Sequence, residues 1–534
     1  MRVLLITPPL VRQEAYQSDD SRPDFEALRL ISPAEPLTVA AILETAGHTV
    51  RFVDLGSYAN GREAAISRAL TDFAPDAVAL VQSILTFATS HDWVGKEVFE
   101  QVRALRPTAA TILTGGHATN YPSKAVGDGV CDYAIKGEVD YALPQLIDAL
   151  ATPAMLLTEA LAQIPGLSWR QVDGQTASSE AYPSVDITRL PPPAYHLLSD
   201  DDRSRYSQLL EKGKIRYPEK SPRYRDIMTS RGCILRCSFC SVAYLRGEKQ
   251  RYRRKTIDQV LTEIEQALDD GIEEIHFFDD LFAESEAEIL ALTDALARRN
   301  LRFPWFVAQG MPLWPLTRDA LAAMRETGMY RLICPFESGS ERVLKRVIGK
   351  LADVGHNRRI VEWASALGLE IIGMYVIGMP GETRSELLET LAFAETHPAI
   401  DYHVFSIATP MMGTRLTRKL NEQHKLDAQW AEQVNRVVKR TVALFENDET
   451  SPVELGLIRS HDWDRINFAS AERRQRYAAM VGITLDELEQ MRQHSLATFA
   501  GFFPDYRGPR SFAELCRSGT ASAALHQLAP QLPA

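Results

Sequence analysis

Three of the chain's six cysteines fall within one short stretch, Cys233-Ile234-Leu235-Arg236-Cys237-Ser238-Phe239-Cys240. The spacing is C-x3-C-x2-C, and an aromatic residue precedes the third thiol. Clustered thiolates are soft ligands that suit zinc or an iron–sulfur cluster. No fourth cysteine is nearby, so the stretch predicts a cluster with three protein ligands and one iron open to another ligand. Zinc with a remote fourth ligand, or a chance grouping of buried thiols, are the alternatives.

The composition limits the class of protein. A length of 534 residues predicts two to four domains, and 45% hydrophobic with 24% charged residues provides large cores of the ordinary globular kind. The formal charge of −11 argues against a nucleic-acid partner. No apolar run reaches the roughly 18 residues that would span a bilayer. Six cysteines without a paired framework favour the reducing cytoplasm.

Residues 1–150 alternate short apolar strands with helical stretches, which predicts a parallel, doubly wound α/β sheet. The predicted strands are 3–7, 48–55, 75–81, 111–114 and 133–136, with a helix at 37–46. Ligands of such sheets bind beyond the carboxyl ends of the strands. Three loops there carry candidate binding residues, namely Ser83 and Thr86, then Gly115, Gly116 and His117, then Gly137 and Glu138. His117 has the alternative interpretation of a turn residue that makes a loop hydrogen bond.

Residues 221–425 alternate again, with predicted strands at 224–229, 275–280, 305–309, 332–337, 370–377 and 404–408. Six such strands predict an open parallel barrel whose chemistry lies at the carboxyl ends of the strands. Asp279 and Asp280 end the second strand, where they could act in acid–base chemistry or simply cap a loop. Cys334 lies within an apolar strand and is expected to be a small core residue.

The remaining segments are less informative. Residues 151–220 are predicted to be a connector or cap, and residues 426–534 a helical C-terminal domain with helices at 430–445 and 485–503. The run of Arg473, Arg474 and Arg476 is either a solvated helix face or a grip on an anionic substrate. The tail after Pro504 is rich in turn residues and is expected to be loosely ordered.

The stretch Thr229-Ser230-Arg231-Gly232-Cys233, followed by the other two cysteines, resembles the radical S-adenosylmethionine (SAM) superfamily. The resemblance implies that Cys233, Cys237 and Cys240 hold a [4Fe–4S] cluster whose open iron binds SAM. It places Phe239 against the adenosine. It also implies SAM contacts for the strand-end residues Glu337, Ser338 and Gly378, whereas Asp279 and Asp280 stand where the superfamily usually has Gly-Gly-Glu.

The loops of residues 1–150 resemble the cobalamin-binding domain that precedes the radical SAM core in one large subfamily. The implied order is a Rossmann-like cobalamin-binding domain, a partial (β/α)6 radical SAM barrel and a mainly helical C-terminal region. Ser83, Thr86, Gly115, Gly116, His117, Gly137 and Glu138 would then border the corrinoid. The loop after the first strand contains no histidine, so cobalt is expected to lack a histidine ligand, His117 included.

The resemblance implies a cobalamin-dependent (class B) radical SAM methyltransferase. Such an enzyme moves a methyl group from methylcobalamin to an unactivated carbon of a small molecule after hydrogen abstraction by a 5′-deoxyadenosyl radical. Residues 309–314 and 336–339 are similar to the C-methylases of the fosfomycin pathway. A flavodoxin or ferredoxin would supply electrons. One alternative is a non-methylating enzyme with the same cofactors, which performs cyclisation, ring contraction or oxidation. The others are a corrinoid- or metal-binding regulator without turnover, and a zinc-binding nucleic-acid module, which the acidic charge disfavours.

Overall fold

The computed structural model describes two compact units. It describes residues 1–8, 32–58, 61–81, 94–152, 154–179, 181–199, 201–202, 219–247, 251–426, 430, 443–445, 447 and 449–528. Unit 1 contains the described residues up to 202 together with Val242–Glu263. Unit 2 contains residues 219–241 and the described residues from Ile264 onward. The predicted helix at 430–445 falls mostly outside the described residues.

Unit 1 is built on a seven-stranded sheet in the order β2-β1-β3-β4-β5-β6-β7. Its first five strands are parallel, and β6 and β7 add an antiparallel hairpin at one edge. The segment predicted to be a connector therefore extends the sheet. The strands are β1 Arg2–Thr7, β2 Thr49–Asp54, β3 Ala77–Leu80, β4 Ala110–Leu113, β5 Tyr133–Ile135, β6 Leu167–Arg170 and β7 Thr176–Ser178.

Helices cover both faces of this sheet, as the unbroken apolar strands require. Along β1, Val3 and Leu5 enter one core, while Leu4 and Ile6 enter the other. The predicted doubly wound domain is confirmed. The helices are α1 Ala34–Thr45, α2 Arg62–Phe73, α3 Val94–Leu105, α4 Gly115–Asn120, α5 Pro122–Gly127, α6 Ala142–Leu150, α7 Ala154–Gln163 and α8 Val242–Arg246, and α9 Ile257–Asp269 begins in this unit.

Unit 2 contains a six-stranded parallel sheet in the order β15-β14-β13-β12-β11-β8. All six predicted strands are found, with helices between them. They are β8 Tyr224–Ile227, β11 Glu274–Phe277, β12 Trp305–Val307, β13 Met329–Glu337, β14 Glu370–Ile377 and β15 Tyr402–Ile407, and β9 Ser230–Arg231 and β10 Arg253–Arg254 are two short strands between β8 and α9. The helices between and after these strands are α10 Glu286–Arg298, α11 Arg318–Glu326, α12 Val354–Ala366, α13 Arg384–Glu395 and α14 Arg415–Glu422, with a π-helical segment at Val343–Ile348.

The C-terminal region is helical, as predicted, and it covers the edge of this sheet. Asn467 accepts the N–H of His403 at 2.7 Å and donates to the carbonyl of the same residue at 3.0 Å, which satisfies backbone groups of edge strand β15. Residues beyond Pro504 were expected to be loose, but Leu515 and Leu525 are buried in an apolar cluster with Phe499. The helices are α15 Pro452–Leu457, α16 Trp463–Phe468, α17 Ala471–Val481, α18 Leu485–Phe502, α19 Phe512–Arg517 and α20 Ser522–Leu525.

The arginine run on α17 is partly exposed to solvent, and its side chains also contact the chain around them. Arg473 donates to the carbonyl of Asn467 at 3.1 Å, Arg474 donates to that of Phe468 at 2.8 Å, and Arg476 pairs with Asp401 at 2.5 Å. These contacts fasten α17 to the chain around it. The run is therefore a structural anchor and provides no argument for an anionic substrate.

The structure contains no described helix that is both long and apolar enough to cross a bilayer.

Candidate active site

The cysteine stretch follows β8 and is fastened by its backbone to two other segments of unit 2. Ser238 donates its N–H to the carbonyl of Ile348 at 2.8 Å, and its own carbonyl accepts the N–H of Leu416 at 2.8 Å. Cys237 and Phe239 also pack against an apolar cluster. The three thiols are half-buried, whereas Cys334 is fully buried, which confirms it as a core residue. The cysteine loop is thus held in place, and its three cysteines are not fully enclosed.

Asp279 and Asp280 hold the start of this loop. Oδ1 of Asp279, which is buried, accepts the N–H groups of Thr229 at 2.7 Å and of Ser230 at 2.6 Å. Oδ2 of Asp280 accepts the N–H of Gly232 at 2.7 Å. Hydrogen bonds from backbone N–H groups to a carboxylate are charge-assisted and strong. Of the two predicted roles, loop capping is the one these contacts support.

Glu337 ends β13 in a left-handed backbone conformation, with φ +63°. Its carboxylate accepts a hydrogen bond from Nζ of Lys350 at 2.8 Å, and the same ammonium donates to the carbonyl of Pro335 at 2.6 Å. Both side chains are nearly buried, with 5% of Lys350 and 10% of Glu337 exposed. A left-handed conformation is costly for a residue other than glycine, so the surrounding contacts must hold it. The sequence motif indicated Glu337 but gave no sign of Lys350.

Ser338 and Gly378, the other two strand-end residues, shape loops through their own contacts. The Ser338 hydroxyl is buried and lies 3.1 Å from the hydroxyl of Thr390 on α13. The N–H of Gly378 donates to Glu382 at 2.7 Å, and a Cβ at this glycine would lie 2.5 Å from the Leu455 side chain. These contacts position the loops, and whether either residue touches SAM stays a prediction.

The two faces of the sheet differ in a way that leaves room for ligands. Tyr375 and Phe405 are buried on one face, where the Tyr375 ring contacts Phe393 of helix α13. Of the residues that alternate with them and face the other way, Met374, Val376 and Ser406 are half-buried, whereas Ile372 and Val404 are buried. The register pairs Met374 with Pro335 and Val376 with Ser406, and Pro335 is half-buried as well. The more open part of this face therefore lies toward the carboxyl ends of the strands, where it can accept a ligand beside the cysteine loop.

Glu382 is a buried carboxyl group at the end of the β14 loop. One carboxylate oxygen accepts the N–H groups of Gly378 and Met379, and among the described residues the other has no hydrogen-bond partner. Burial raises the pKa of Glu382 to about 8, although the two N–H donors act in the opposite direction. The group is therefore a neutral acid in the folded protein over much of the neutral range.

Stability is expected to fall as the pH rises because of Glu382. The folded protein keeps the Glu382 proton at pH values where the unfolded chain has already released it. The stabilising contribution of this carboxyl group is therefore complete below its ordinary, unfolded pKa and is lost as the pH rises to about 8. Between pH 5 and pH 8, the free energy of unfolding of the parent should fall by about 2–4 kcal/mol relative to that of Glu382→Gln. Denaturant unfolding at both pH values measures this. Glu362→Gln, at an exposed position, should follow the parent, and parallel curves for parent and Glu382→Gln would contradict the prediction.

The cysteine loop fits an iron–sulfur cluster by its donor chemistry. Burial raises the pKa of the Cys233 thiol to about 12 and that of Cys237 to about 11, so both thiols hold their protons until a cation displaces them. Three soft thiolates on one loop match a cluster with one open iron. No three His, Cys, Asp or Glu side chains in the described ranges are close enough to hold a single metal ion.

In unit 1, the segment after β4 is a helix, where the sequence predicted a loop. Gly115 and Gly116 begin α4, and His117 is buried within it, with its ring 5.5 Å from that of Tyr121. Strands β3, β4 and β5 are neighbours and parallel, so the residues that follow them lie along one edge of the sheet. Such an edge fits a bulky cofactor. Ser83 and Thr86 lie outside the described residues.

Gly137 and Glu138 follow β5, and each contacts the chain itself. Gly137 has φ +75°, and a Cβ there would lie 2.5 Å from the Tyr182 ring. Glu138 is fully buried between two arginines, 3.2 Å from Arg246 and 2.7 Å from Arg253. The sequence predicted that both residues border the corrinoid. In the structure, the packing of Gly137 joins the β5 loop to Tyr182, and the ion pairs of Glu138 join it to Val242–Glu263.

Removal of the buried charge of Glu138 is expected to destabilise unit 1. Glu138→Gln would leave Arg246 and Arg253 without part of their compensating charge, at a cost of about 3 kcal/mol. For a unit of this size that cost should lower Tm by roughly 6–12 °C. Differential scanning calorimetry measures it. Glu159→Gln, at an exposed position of α7, is the matched control and should change stability by less than about 0.5 kcal/mol. Equal Tm values for the two variants would exclude a stabilising ion-pair cluster.

Comparison with known proteins assigns the two units. The sequence profile of the B12 binding domain matches residues 31–147, and that of the Radical SAM superfamily matches residues 227–394. The chain therefore carries a B12-binding domain and a radical SAM domain. These domains imply a [4Fe–4S] cluster, SAM and cobalamin as cofactors.

Two relatives that the chain matches over most of its length are named methyltransferases. The cytidylyl-2-hydroxyethylphosphonate methyltransferase of Streptomyces wedmorensis is 25% identical over 433 residues, which cover 73% of this chain and 78% of that protein. An uncharacterized methyltransferase of Pyrococcus horikoshii is 27% identical over 419 residues, with 78% and 82% covered. The chain is homologous to both.

Two solved structures show the same fold. The radical SAM methyltransferase TsrM from Kitasatospora setae, with cobalamin and a [4Fe–4S] cluster bound, has a TM-score of 0.65 at 18% identity, over 93% of this chain and 99% of that chain. The cobalamin-dependent radical enzyme OxsB, with aqua-cobalamin and SAM bound, has a TM-score of 0.63 at 15% identity, over 99% and 75%. The predicted fold class is confirmed.

Proposed function

We propose that this enzyme adds a methyl group to an unactivated carbon of a small molecule. The observation that carries the proposal is the homology to a named methyltransferase over 73% of this chain, in a protein that has both a B12-binding and a radical SAM domain. Bound to these domains, the cluster and SAM would supply hydrogen abstraction from carbon and cobalamin would supply the methyl group.

The chain's own residues would contribute position and shielding. Cys233, Cys237 and Cys240 would ligate the cluster, and Asp279 with Asp280 fixes the backbone that leads into them. The half-buried apolar face of β13–β15 would hold the substrate and exclude water from the reacting carbon. Lys350 would keep Glu337 oriented at the end of β13, where the superfamily contacts SAM.

The position of the strand-end residues in unit 1 indicates where this unit would hold the corrinoid. Residues 115–117 and 137–138 follow neighbouring parallel strands, so the corrinoid would lie along that edge. His117 is buried within α4. We propose that cobalt receives no histidine from this chain, which would be visible in the electron paramagnetic resonance spectrum of the bound, reduced corrinoid as the absence of a nitrogen coupling from histidine.

The first test is the cofactor content of the anaerobically reconstituted protein. Iron, sulfide and hydroxocobalamin are supplied, and about four irons and one cobalt per chain are expected. Four irons without cobalt would remove cobalt-dependent methylation from the proposal.

We propose a reducing cytoplasm as the location, since all six cysteines are free.

The second test is product mass. Cytidylyl-2-hydroxyethylphosphonate, the substrate in the name of the Streptomyces relative, is the first probe, followed by a panel of other small molecules. Formation of 5′-deoxyadenosine with a product heavier by one methyl group supports methyl transfer. Formation of 5′-deoxyadenosine with a product that has gained no methyl group would instead indicate cyclisation, ring contraction or oxidation.

A further inference from the structure

Two nearly buried, opposite charges lie close to the cysteine loop. The ammonium of Lys350 and the carboxylate of Glu337 are 2.8 Å apart. Glu337 keeps a left-handed backbone conformation at the end of β13, and residues other than glycine that are held in this way cluster at functional sites. Relative to an apolar pair of the same size, a buried ion pair adds little stability, so stability alone does not explain this pair.

The backbone places the pair beside the cysteine stretch. Ile348 accepts the N–H of Ser238 at 2.8 Å, between the second and third thiols. The next residue is Gly349, where a Cβ would lie 4.0 Å from the carbonyl oxygen of Arg236, between the first and second thiols. Lys350 follows directly, with its ammonium bonded to the end of β13. The two charges are therefore neighbours of the segment that carries all three thiols.

Both charges act on the thiols, in opposite directions. Burial raises the pKa of the Cys233 and Cys237 thiols, and the Lys350 ammonium opposes that rise at both. The Glu337 carboxylate adds to the rise in the pKa of Cys237, but its effect there is smaller than that of Lys350. The positive end of the pair therefore has the larger influence on the loop.

The pair differs from the other charges near the loop. Asp280 and Arg415 also act on these thiols, but each of them holds the loop backbone by a hydrogen bond as well. The Lys350 ammonium bonds instead to Glu337 and to a carbonyl of β13. Because the pair is nearly buried, water and salt screen its field little, whereas Arg415 is exposed. A change in the charge of the pair would therefore reach the loop without cutting one of its anchors.

We propose that the Lys350–Glu337 pair sets the reduction potential of the iron–sulfur cluster. This inference rests on the proposed function, in which the three cysteines ligate the cluster. Reduction adds one electron from a low-potential chemical reductant such as dithionite, and it forms and breaks no covalent bond in the protein. The Lys350 ammonium stabilises the added negative charge and the Glu337 carboxylate opposes it. Lys350 should therefore raise the potential and Glu337 should lower it.

Neutralising each charge in turn tests the proposal on the reconstituted protein. SAM is omitted, so that the predicted SAM contact of Glu337 does not contribute. Lys350→Met should lower the midpoint potential and Glu337→Gln should raise it, each changing the equilibrium constant for reduction about three- to tenfold. A tenfold change is about 59 mV for one electron. Reductive titration, followed by the electron paramagnetic resonance signal of the reduced cluster, measures these potentials.

A matched control separates the pair from charge in general. Lys345→Met removes the same charge from an exposed position in the preceding π-helical segment and should leave the potential unchanged. If Lys350→Met and Glu337→Gln shift the potential in the same direction, the substitutions act by loosening the loop, and the proposal is wrong. An absence of any shift, or an equal shift in Lys345→Met, would also overturn it.

The double variant keeps the test decisive if a single variant is too unstable to hold a cluster. Lys350→Met with Glu337→Gln leaves no stranded charge, and its potential should lie between those of the single variants and below that of the parent. The reason is that the lost ammonium has the larger effect on the loop. A potential equal to or above that of the parent would contradict the proposal.

The two proposals can fail separately. If the parent binds no cluster, the proposed function is wrong and this inference fails with it. If the parent holds four irons and makes 5′-deoxyadenosine but the potentials ignore the pair, this inference alone is wrong.

Discussion

Cys237→Ala is expected to abolish iron binding and SAM cleavage while cobalamin stays bound. Two thiolates on one loop cannot replace the three that hold a cluster with an open iron. The B12-binding domain, in contrast, lies in unit 1, which has its own apolar cores on both faces of its sheet. Iron and cobalt analysis, together with chromatographic detection of 5′-deoxyadenosine under reducing conditions, measures both effects in one sample.

The matched control for this variant is Cys516→Ala, a half-buried free thiol in α19. It should retain parental iron, cobalt and 5′-deoxyadenosine. If Cys237→Ala kept its iron and still cleaved SAM, the assignment of the cluster to this loop would be wrong. If it lost cobalt as well, the two cofactor sites would depend on each other more than the separate cores suggest.

Lys350→Met is expected to cost about 3–5 kcal/mol of stability in unit 2. The substitution leaves the carboxylate of Glu337 nearly buried without the ammonium 2.8 Å away, and also removes the donor to the carbonyl of Pro335. Because Glu337 has a left-handed backbone that its contacts must maintain, the end of β13 should become mobile as well. Urea unfolding measures the cost, and hydrogen exchange at residues 336–340 measures the local loosening.

A second substitution distinguishes a buried ion pair from simple packing. Adding Glu337→Gln to Lys350→Met removes the stranded charge and should restore at least half of the lost stability. Lys345→Met lies on the same segment and breaks an exposed pair with Glu341, so it should cost less than about 1 kcal/mol. A double variant no more stable than Lys350→Met would mean that the charge of Glu337 is not what Lys350 compensates.

The sequence predicts the architecture well because local patterns determine it. Short apolar strands alternating with helices indicate the two parallel sheets, and C-x3-C-x2-C indicates the cluster loop, since each signal lies within a few residues. The main features that the sequence does not predict are contacts between residues that are far apart in the chain. Nothing near Lys350 shows that it reaches Glu337, and nothing near Thr229 shows that Asp279, fifty residues later, fixes its N–H.

Composition also misleads where a charge has two possible uses. The α17 arginines have the composition of a ligand-binding patch, yet backbone carbonyls and Asp401 account for them. Glu138 is predicted to border the corrinoid, and the sequence gives no sign that it also pairs with Arg246 and Arg253, more than a hundred residues later. A sequence states which side chains are charged, but only the folded chain shows which charges are already compensated.

The division of the chain between its two units bears on how such enzymes can be inherited. The chain leaves unit 1 before residue 219, returns for Val242–Glu263 and leaves again, so the cysteine loop is encoded between two pieces of the B12-binding unit. A gene fragment ending near residue 220 would lack Arg246 and Arg253 and would strand Glu138 in the core. Recombination at a single point therefore cannot exchange either unit intact.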